Sequence, residues 1–336
     1  MKPRSPAPAI GVIGVGSLGY HHARILSGLA DTEMVGLFDV NAERAEHVGR
    51  DLAVTAHGSL EALLDQADAV VVAVPTVDHE STSVAALERG IHVLIEKPMA
   101  ASLEEADRIL AAARGTGALV QVGHIERFNS AILAAQPFLE QPLFVESHRL
   151  ASFVPRSTDI AVVLDLMIHD VDLVQSLVGR PITDVAATGV PVLTSSVDIA
   201  NARLSFDGGA VANLTASRVS MERMRKIRIF QASGYLSLNL ADGTGEFLRL
   251  KRDLPFFAEG QERDVESDAD LGRIVDRVVL QGRDEEPLAM ELVNFRDAVA
   301  GHGTPAVSGE EGRSALEVSL LIEERIEAHV VDTRTA

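Results

Sequence analysis

The stretch Gly14-Val15-Gly16-Ser17-Leu18-Gly19 limits the fold of this chain more than any other. It follows an apolar run, Ile10 to Ile13, that reads as a short strand. It opens a helical stretch reaching to about Leu26. In that setting the first glycine makes a tight turn, the second lets a pyrophosphate approach bare backbone, and the third lets helix pack on strand. A second strand, Met34 to Phe38, ends in Asp39, 20 residues beyond Gly19. An acid at that distance holds the ribose 2′-hydroxyl of NAD. Val40 and Asn41 follow it, with no arginine directly after. A 2′-phosphate would meet an uncompensated carboxylate, so NAD is expected over NADP.

The same alternation continues. Helices are expected over Ala42 to Leu52, Leu60 to Gln66 and Glu80 to Arg89, the last closed by Gly90. Strands are expected at Ala69 to Val74, ending in Pro75-Thr76, at Val93 to Ile95 and at Leu119 to Val122. Ser102 with Glu105 forms a capping box for a helix reaching about Arg114. Strands alternating with helices imply an α/β Rossmann domain, a parallel sheet with helices on both faces, over residues 1–124. A chain of 336 residues is too long for one core, so a second domain is expected over residues 125–336.

There the pattern changes to an α+β domain. After a helix at Ser130 to Leu139, a strand runs from Leu143 to Leu150. Further strands lie at Ile199 to Phe206, Val211 to Arg218, Arg225 to Phe230 and Tyr235 to Leu240, with Gly208-Gly209 as a hairpin turn. Ala200, Ala202, Leu204 and Phe206 share one face, and so do Leu236, Leu238 and Leu240. This predicts a large, mostly antiparallel open sheet whose apolar face is covered by a helix from about Ala161 to Leu177. Its other face carries Asn201, Arg203, Asn213, Thr215 and Ser217, polar enough for water yet able to pack on a second subunit. The charged stretch Lys251 to Asp270 reads as loop. Helices at Leu288 to Ala300 and Gly312 to Ala328 are expected to return to the first domain.

Chemistry is expected where strands end. Ligands of open parallel sheets bind beyond the carboxyl ends of the strands. Glu96-Lys97-Pro98 directly follows the strand at Val93 to Ile95, so Lys97 faces that crevice. Pro98 ends the strand and pins the lysine backbone. Glu96 either touches the cofactor or holds the lysine's loop. His79 and His124 also lie just past strand ends, where either can line the crevice; for His79 a local backbone hydrogen bond is the favoured role. Asp165 and His169 are four apart on a predicted helix and share a face, which suits a histidine that takes a proton beside an orienting carboxylate. The same spacing also fits a stabilising pair on a solvated helix. Arg127 and Arg156 are candidates for an anionic substrate group.

Composition closes off other classes. A net charge of −19 argues against nucleic acid, and zero cysteines exclude thiolate chemistry and fit a cytoplasmic protein. No apolar run approaches the ~20 residues of a membrane span. The first eight residues have no apolar core of a signal peptide. No convergent set of His and carboxylate ligands suggests a metal, and there is no G-x-S-x-G elbow.

Taken together, Gly14 to Gly19 with His22, Pro75-Thr76 with His79, Glu96-Lys97-Pro98, Gly123-His124 with Arg127-Phe128, and Asp165-x-x-x-His169 resemble the Gfo/Idh/MocA family of NAD(P)-dependent oxidoreductases. Pro305 to Gly312 is similar to that family's C-terminal signature. The resemblance spans nearly the whole chain. It implies NAD held by Gly14, Gly16, Ser17, Leu18, Gly19, Asp39, Pro75, Thr76, His79, Glu96 and Lys97. It implies Lys97 and His169 flanking the reacting carbinol with Asp165 assisting, and His124, Arg127 and Arg156 on the substrate. It also implies a homodimer or homotetramer built through the second-domain sheet. Gly123 to Asn129, and Arg156 to Asp159 leading into Val163 to Asp170, look like the branch that oxidises position 3 of UDP-N-acetylglucosamine for amino-sugar and lipid A synthesis. Another polyol or sugar, a non-catalytic NAD-binding regulator, and a metal-assisted lyase or hydrolase are the alternatives.

Overall fold

The computed structural model describes residues 7–153, 161–250 and 275–335. The chain forms two compact units, residues 1–128 with 285–320, and residues 129–284 with 321–336.

In the first unit five strands form a sheet in the order β2-β1-β3-β4-β5: β1 (Ala9–Ile13), β2 (Glu33–Phe38), β3 (Ala69–Val72), β4 (His92–Glu96) and β5 (Val120–Gly123). Every pair is parallel. Ala69 to Val72 is buried throughout, as a parallel strand covered on both faces must be. From β1 the chain runs out to β2 and returns to the opposite side of β1 with β3. The β1/β3 junction is therefore the switch point where such sheets open a crevice.

Helices α1 (Ser17–Gly28), α2 (Ala42–Leu52), α3 (Leu60–Leu64), α4 (His79–Leu87) and α5 (Leu103–Thr116) link the strands. At α5 the capping box is partly as expected. Ser102 Oγ accepts from Glu105 N at 3.2 Å, but Glu105 Oε2 takes the N–H of Ala101, one residue before the cap, at 2.9 Å. Late in the chain, α8 (Pro287–Val299) joins this unit. Its Leu292 and Phe295, both fully buried, pack with Ile10, Val12, Leu37 and Leu94 in one core cluster. Burying a side chain of that size contributes about 1.5–3 kcal/mol. The first part of α9 (Gly309–Thr335) also belongs here.

The second unit holds an eight-stranded sheet in the order β13-β12-β11-β10-β6-β9-β8-β7. Its strands are β6 (Pro142–Leu150), β7 (Ile182–Val190), β8 (Ile199–Phe206), β9 (Val211–Ser217), β10 (Met224–Gln231), β11 (Gly234–Asn239), β12 (Thr244–Leu250) and β13 (Val275–Gln281). All pairs are antiparallel except β6 with β9. Ala200, Ala202, Leu204 and Phe206 are buried, as are Leu236, Leu238 and Leu240. The helix expected over 130–139 is shorter: α6 (Ser130–Ala135) gives way to a 3-10 turn at Gln136–Phe138, because Pro137 cannot continue it. On the solvent-facing side Asn201 donates to Thr215 at 2.9 Å and Arg203 to Asn213 at 3.1 Å. Ser217 departs from that face. It is buried because the chain folds over it, and its hydroxyl accepts from Val219 N and Ser220 Oγ. The stretch Lys251 to Asp270 lies outside the described residues.

Candidate active site

The glycine turn is built for a phosphate. Gly14 has φ +82°, and a Cβ there would stand 2.8 Å from the Ala73 carbonyl just past β3, so the turn sits at the switch point. A Cβ at Gly19 would come within 1.8 Å of the Gly14 carbonyl oxygen, so only glycine lets α1 start here. Gly16 differs: a Cβ there would meet nothing within 4 Å. The protein's own packing does not demand that glycine, but a ligand against the backbone would. No side chain caps α1 and no acid occupies its first turn, which leaves the N–H groups at Ser17, Leu18 and Gly19 suited to a pyrophosphate. Asp39 ends β2 with Oδ2 accepting from Val15 N at 2.8 Å and Oδ1 from Asn41 N at 2.9 Å, a carboxylate fixed for a ribose diol. These residues fit NAD. One cation is closer than the sequence implied: Arg44, in the first turn of α2, donates from Nε to the Val15 carbonyl at 2.8 Å.

The neighbouring strand ends carry the other expected residues. Pro75 leads into a 3-10 turn at Thr76–Asp78. His79 is buried, with Nδ1 2.9 Å from the Pro98 carbonyl and Nε2 3.0 Å from that of Val74. Burial lowers its pKa, although the carbonyls of Pro98 and Val74 at its two ring nitrogens raise it. These contacts are the backbone role considered for it.

Glu96 is buried, and its Oε1 accepts from His22 Nε2 at 2.7 Å while Oε2 accepts from Lys97 N at 3.2 Å. Burial pushes this carboxyl up, but the His22 hydrogen bond and charge, the Lys97 charge and that backbone N–H outweigh it and hold Glu96 below the ordinary range. A cis peptide joins Lys97 to Pro98. Glu96 is thereby committed to α1 and to the backbone that presents Lys97. Beyond β5, His124 is buried. Arg127 reaches Glu311 Oε1 at 3.3 Å. That glutamate is itself held low: burial raises it, but hydrogen bonds from Ser308 and the Arg127 charge prevail.

In the second unit a π-helical turn, Val163–Met167, runs into α7 (Ile168–Val178), and Ile168 N reaches back five residues to the Val163 carbonyl. The turn holds Asp165 and His169 is the second residue of the helix, so the pair spans the change of pitch. Such π turns concentrate at functional sites. Asp165 Oδ2 lies 4.0 Å from the buried guanidinium of Arg218, at the end of β9. The next residue after His169 anchors the helix. Asp170 accepts from Arg149 Nε at 2.7 Å and NH2 at 3.1 Å, and from Ser147 Oγ at 3.0 Å. Arg156 lies outside the described residues. Among the described residues no group of three or more His, Cys, Asp or Glu could hold a metal ion, and no helix is long and apolar enough to cross a membrane.

Sequence reasoning alone missed the partners beneath these residues: Arg44, Arg149, Arg218 and the bond from His22 to Glu96. Only His22 had a local signal, three residues past Gly19 on the buried side of α1.

Comparison with known proteins agrees with this picture. Residues 9–124 match the family model described as the oxidoreductase family, NAD-binding Rossmann fold, and residues 127–237 match the GFO/IDH/MocA C-terminal domain. The chain is 37% identical over 320 residues to UDP-N-acetylglucosamine 3-dehydrogenase of Acidithiobacillus ferrooxidans, covering 95% of this chain and 97% of that one. A solved structure of the same enzyme superposes with a TM-score of 0.86 at 36% identity, over 96% of this chain and 98% of its own. The scyllo-inositol 2-dehydrogenase (NAD(+)) of Bacillus subtilis is 28% identical over 329 residues, 92% of this chain and 91% of its own.

Proposed function

The chain belongs to the Gfo/Idh/MocA oxidoreductase family, and from that premise we propose that it oxidises the 3-hydroxyl of UDP-N-acetylglucosamine with NAD. The observation that carries the substrate is the likeness, 37% over 95% of the chain, to an enzyme of that name. The 3-keto nucleotide sugar is then a substrate for an aminotransferase in amino-sugar and lipid A synthesis.

The glycine turn, the open N-terminus of α1 and Asp39 hold the dinucleotide, with Pro75 and Thr76 beside them. When bound, NAD supplies the hydride acceptor. His169 takes the proton of the hydroxyl, and Asp165 orients the ring and stabilises its charged form. Lys97 donates a hydrogen bond to the same oxygen as negative charge develops on it. Glu96 takes no part in the proton transfer; it fixes the lysine's backbone. His124 and Arg127, with Arg156, bind substrate groups. In the same reading the enzyme works in the cytoplasm as a homodimer or homotetramer. The uncharged pair Asn201–Thr215 on the open sheet face supports that interface.

The test is NADH formation with UDP-N-acetylglucosamine, UDP-glucose, free N-acetylglucosamine and scyllo-inositol. Turnover is expected with the first. A flat response to it alongside a strong one to inositol would move the enzyme to the inositol branch. Lys97→Met and His169→Asn should each lower kcat by ~10²–10⁴; near-normal turnover in both defeats the mechanism.

A further inference from the structure

Behind the Glu96–Lys97 loop lies a second carboxyl that the mechanism does not use. Glu291, on α8, is fully buried, and neither of its side-chain oxygens has a hydrogen-bond partner among the described residues. It stands on the same face of the sheet as Glu96. Leu94 and Glu96 pair with Gln121 and Gly123 across the β4–β5 ladder, so these four positions share one face. From that face the Gln121 amide reaches the backbone carbonyl of Glu291 at 3.4 Å, and His22 on α1 reaches Glu96. Gly123 leaves room for the carboxylate: a Cβ there would lie 3.2 Å from Glu96 Oε2.

Two carboxyls in one dry region do not both stay ionised. The bonding here is lopsided. Glu96 has His22 and the Lys97 N–H, and Glu291 has neither. Gln121, whose amide reaches the Glu291 backbone, keeps a buried Oε1 without a partner, an acceptor that suits a neutral acid better than another anion. We propose that Glu291 is a positioning residue: a neutral carboxylic acid that lets Glu96 stay the one charged member of the pair and so hold His22 and the backbone of Lys97. Burial first, and then the Glu96 charge, push the Glu291 carboxyl well above the ordinary range. Around α8, Arg24 on α1 pairs with Glu286, and in the 125–128 turn Arg127 pairs with Glu311 while Glu126 is buried.

The proposal rests on Lys97 working in the NAD site, and it predicts an alkaline limit. When Glu291 ionises, a second negative charge arises behind Glu96 and the lysine loop loses its fixed anchor. NADH fluorescence titrations of the full chain from neutral to alkaline pH test this, with Glu291→Gln as a permanently neutral isostere. The variant should match the parent at neutral pH. In the parent, affinity should then fall by about tenfold, the equivalent of one pKa unit, while E291Q stays within about twofold. Infrared spectra at neutral pD should show a protonated carboxyl stretch in the parent that E291Q lacks; Glu291→Met serves the same comparison if the glutamine does not fold. Parallel pH profiles, or an unchanged carboxyl band, overturn the proposal. Should NADH bind neither protein, the cofactor reading has failed, and the infrared comparison alone upholds or overturns the proton on Glu291.

Discussion

Replacing Arg149 with methionine should weaken the second unit more than any single change on its surface. Arg149 and Asp170 are almost fully enclosed, with side-chain exposures of 5% and 3%. Among the described residues the guanidinium donates two hydrogen bonds to the carboxylate, and Ser147 donates another. Removing one partner of such a pair costs about 3–5 kcal/mol, since it strands a buried charge. Arg149→Met should lose about 3–5 kcal/mol. Urea denaturation followed by circular dichroism measures it. Arg149→Met with Asp170→Leu should recover most of the loss, because an apolar pair fills the space without a charge. Because Asp170 follows His169, turnover should fall in the single variant beyond what the unfolded fraction explains. A loss under 1 kcal/mol, or a double variant no better than the single, would refute the reasoning.

Gly19→Ala places a Cβ 1.8 Å from the Gly14 carbonyl oxygen, so stability should fall by an overpacking cost of about 1–3 kcal/mol, read as a lower melting temperature, and NADH titration should show the displaced turn as weaker binding. Asp39→Ser should weaken NAD by roughly tenfold to a hundredfold, from 1.5–3 kcal/mol for a hydrogen bond to a charged group. NADP should gain relative to NAD because Arg44 is already beside the turn, and adding Arg44→Ala should cancel that gain. Glu323 is pushed up to about 7, first by burial and then by Glu327. A raised carboxyl favours the folded state at low pH and loses that favour as pH climbs from ordinary glutamate values through about 7. Glu323→Gln should therefore be relatively more stable at pH 8 than at pH 5, and equal stability differences at both would count against it.

Three strands of the second sheet were not expected: β7 and β13, its edges, which carry few buried residues, and β12, which lies between β11 and β13. An edge strand is completed by one neighbour and needs no strict alternation, so its sequence reads as loop. The central strands had to bury alternate residues, and Ala200 to Phe206 and Leu236 to Leu240 could be placed face by face in advance. The site divides in the same way. Lys97, Asp165 and His169, the proposed catalytic residues, could be picked out locally, from a strand end and an i,i+4 spacing. The groups that hold them come from distant positions: His22 is 74 residues from Glu96 and Arg149 is 21 from Asp170. No local spacing encodes such pairs, since they form only when helices settle on sheets.

The sequence by itself determined the glycine turn, the acid after β2 and the strand–helix alternation, because backbone sterics and period-two or period-3.6 burial are local. Tertiary structure alone decided which buried charges face one another. It gave Glu96 to His22, aimed Arg149 at Asp170, and put Glu291, a residue that looks like any surface glutamate in the chain, where no water reaches it. The reason is that desolvation and charge pairing depend on distance in space, and the sequence records distance only along the chain.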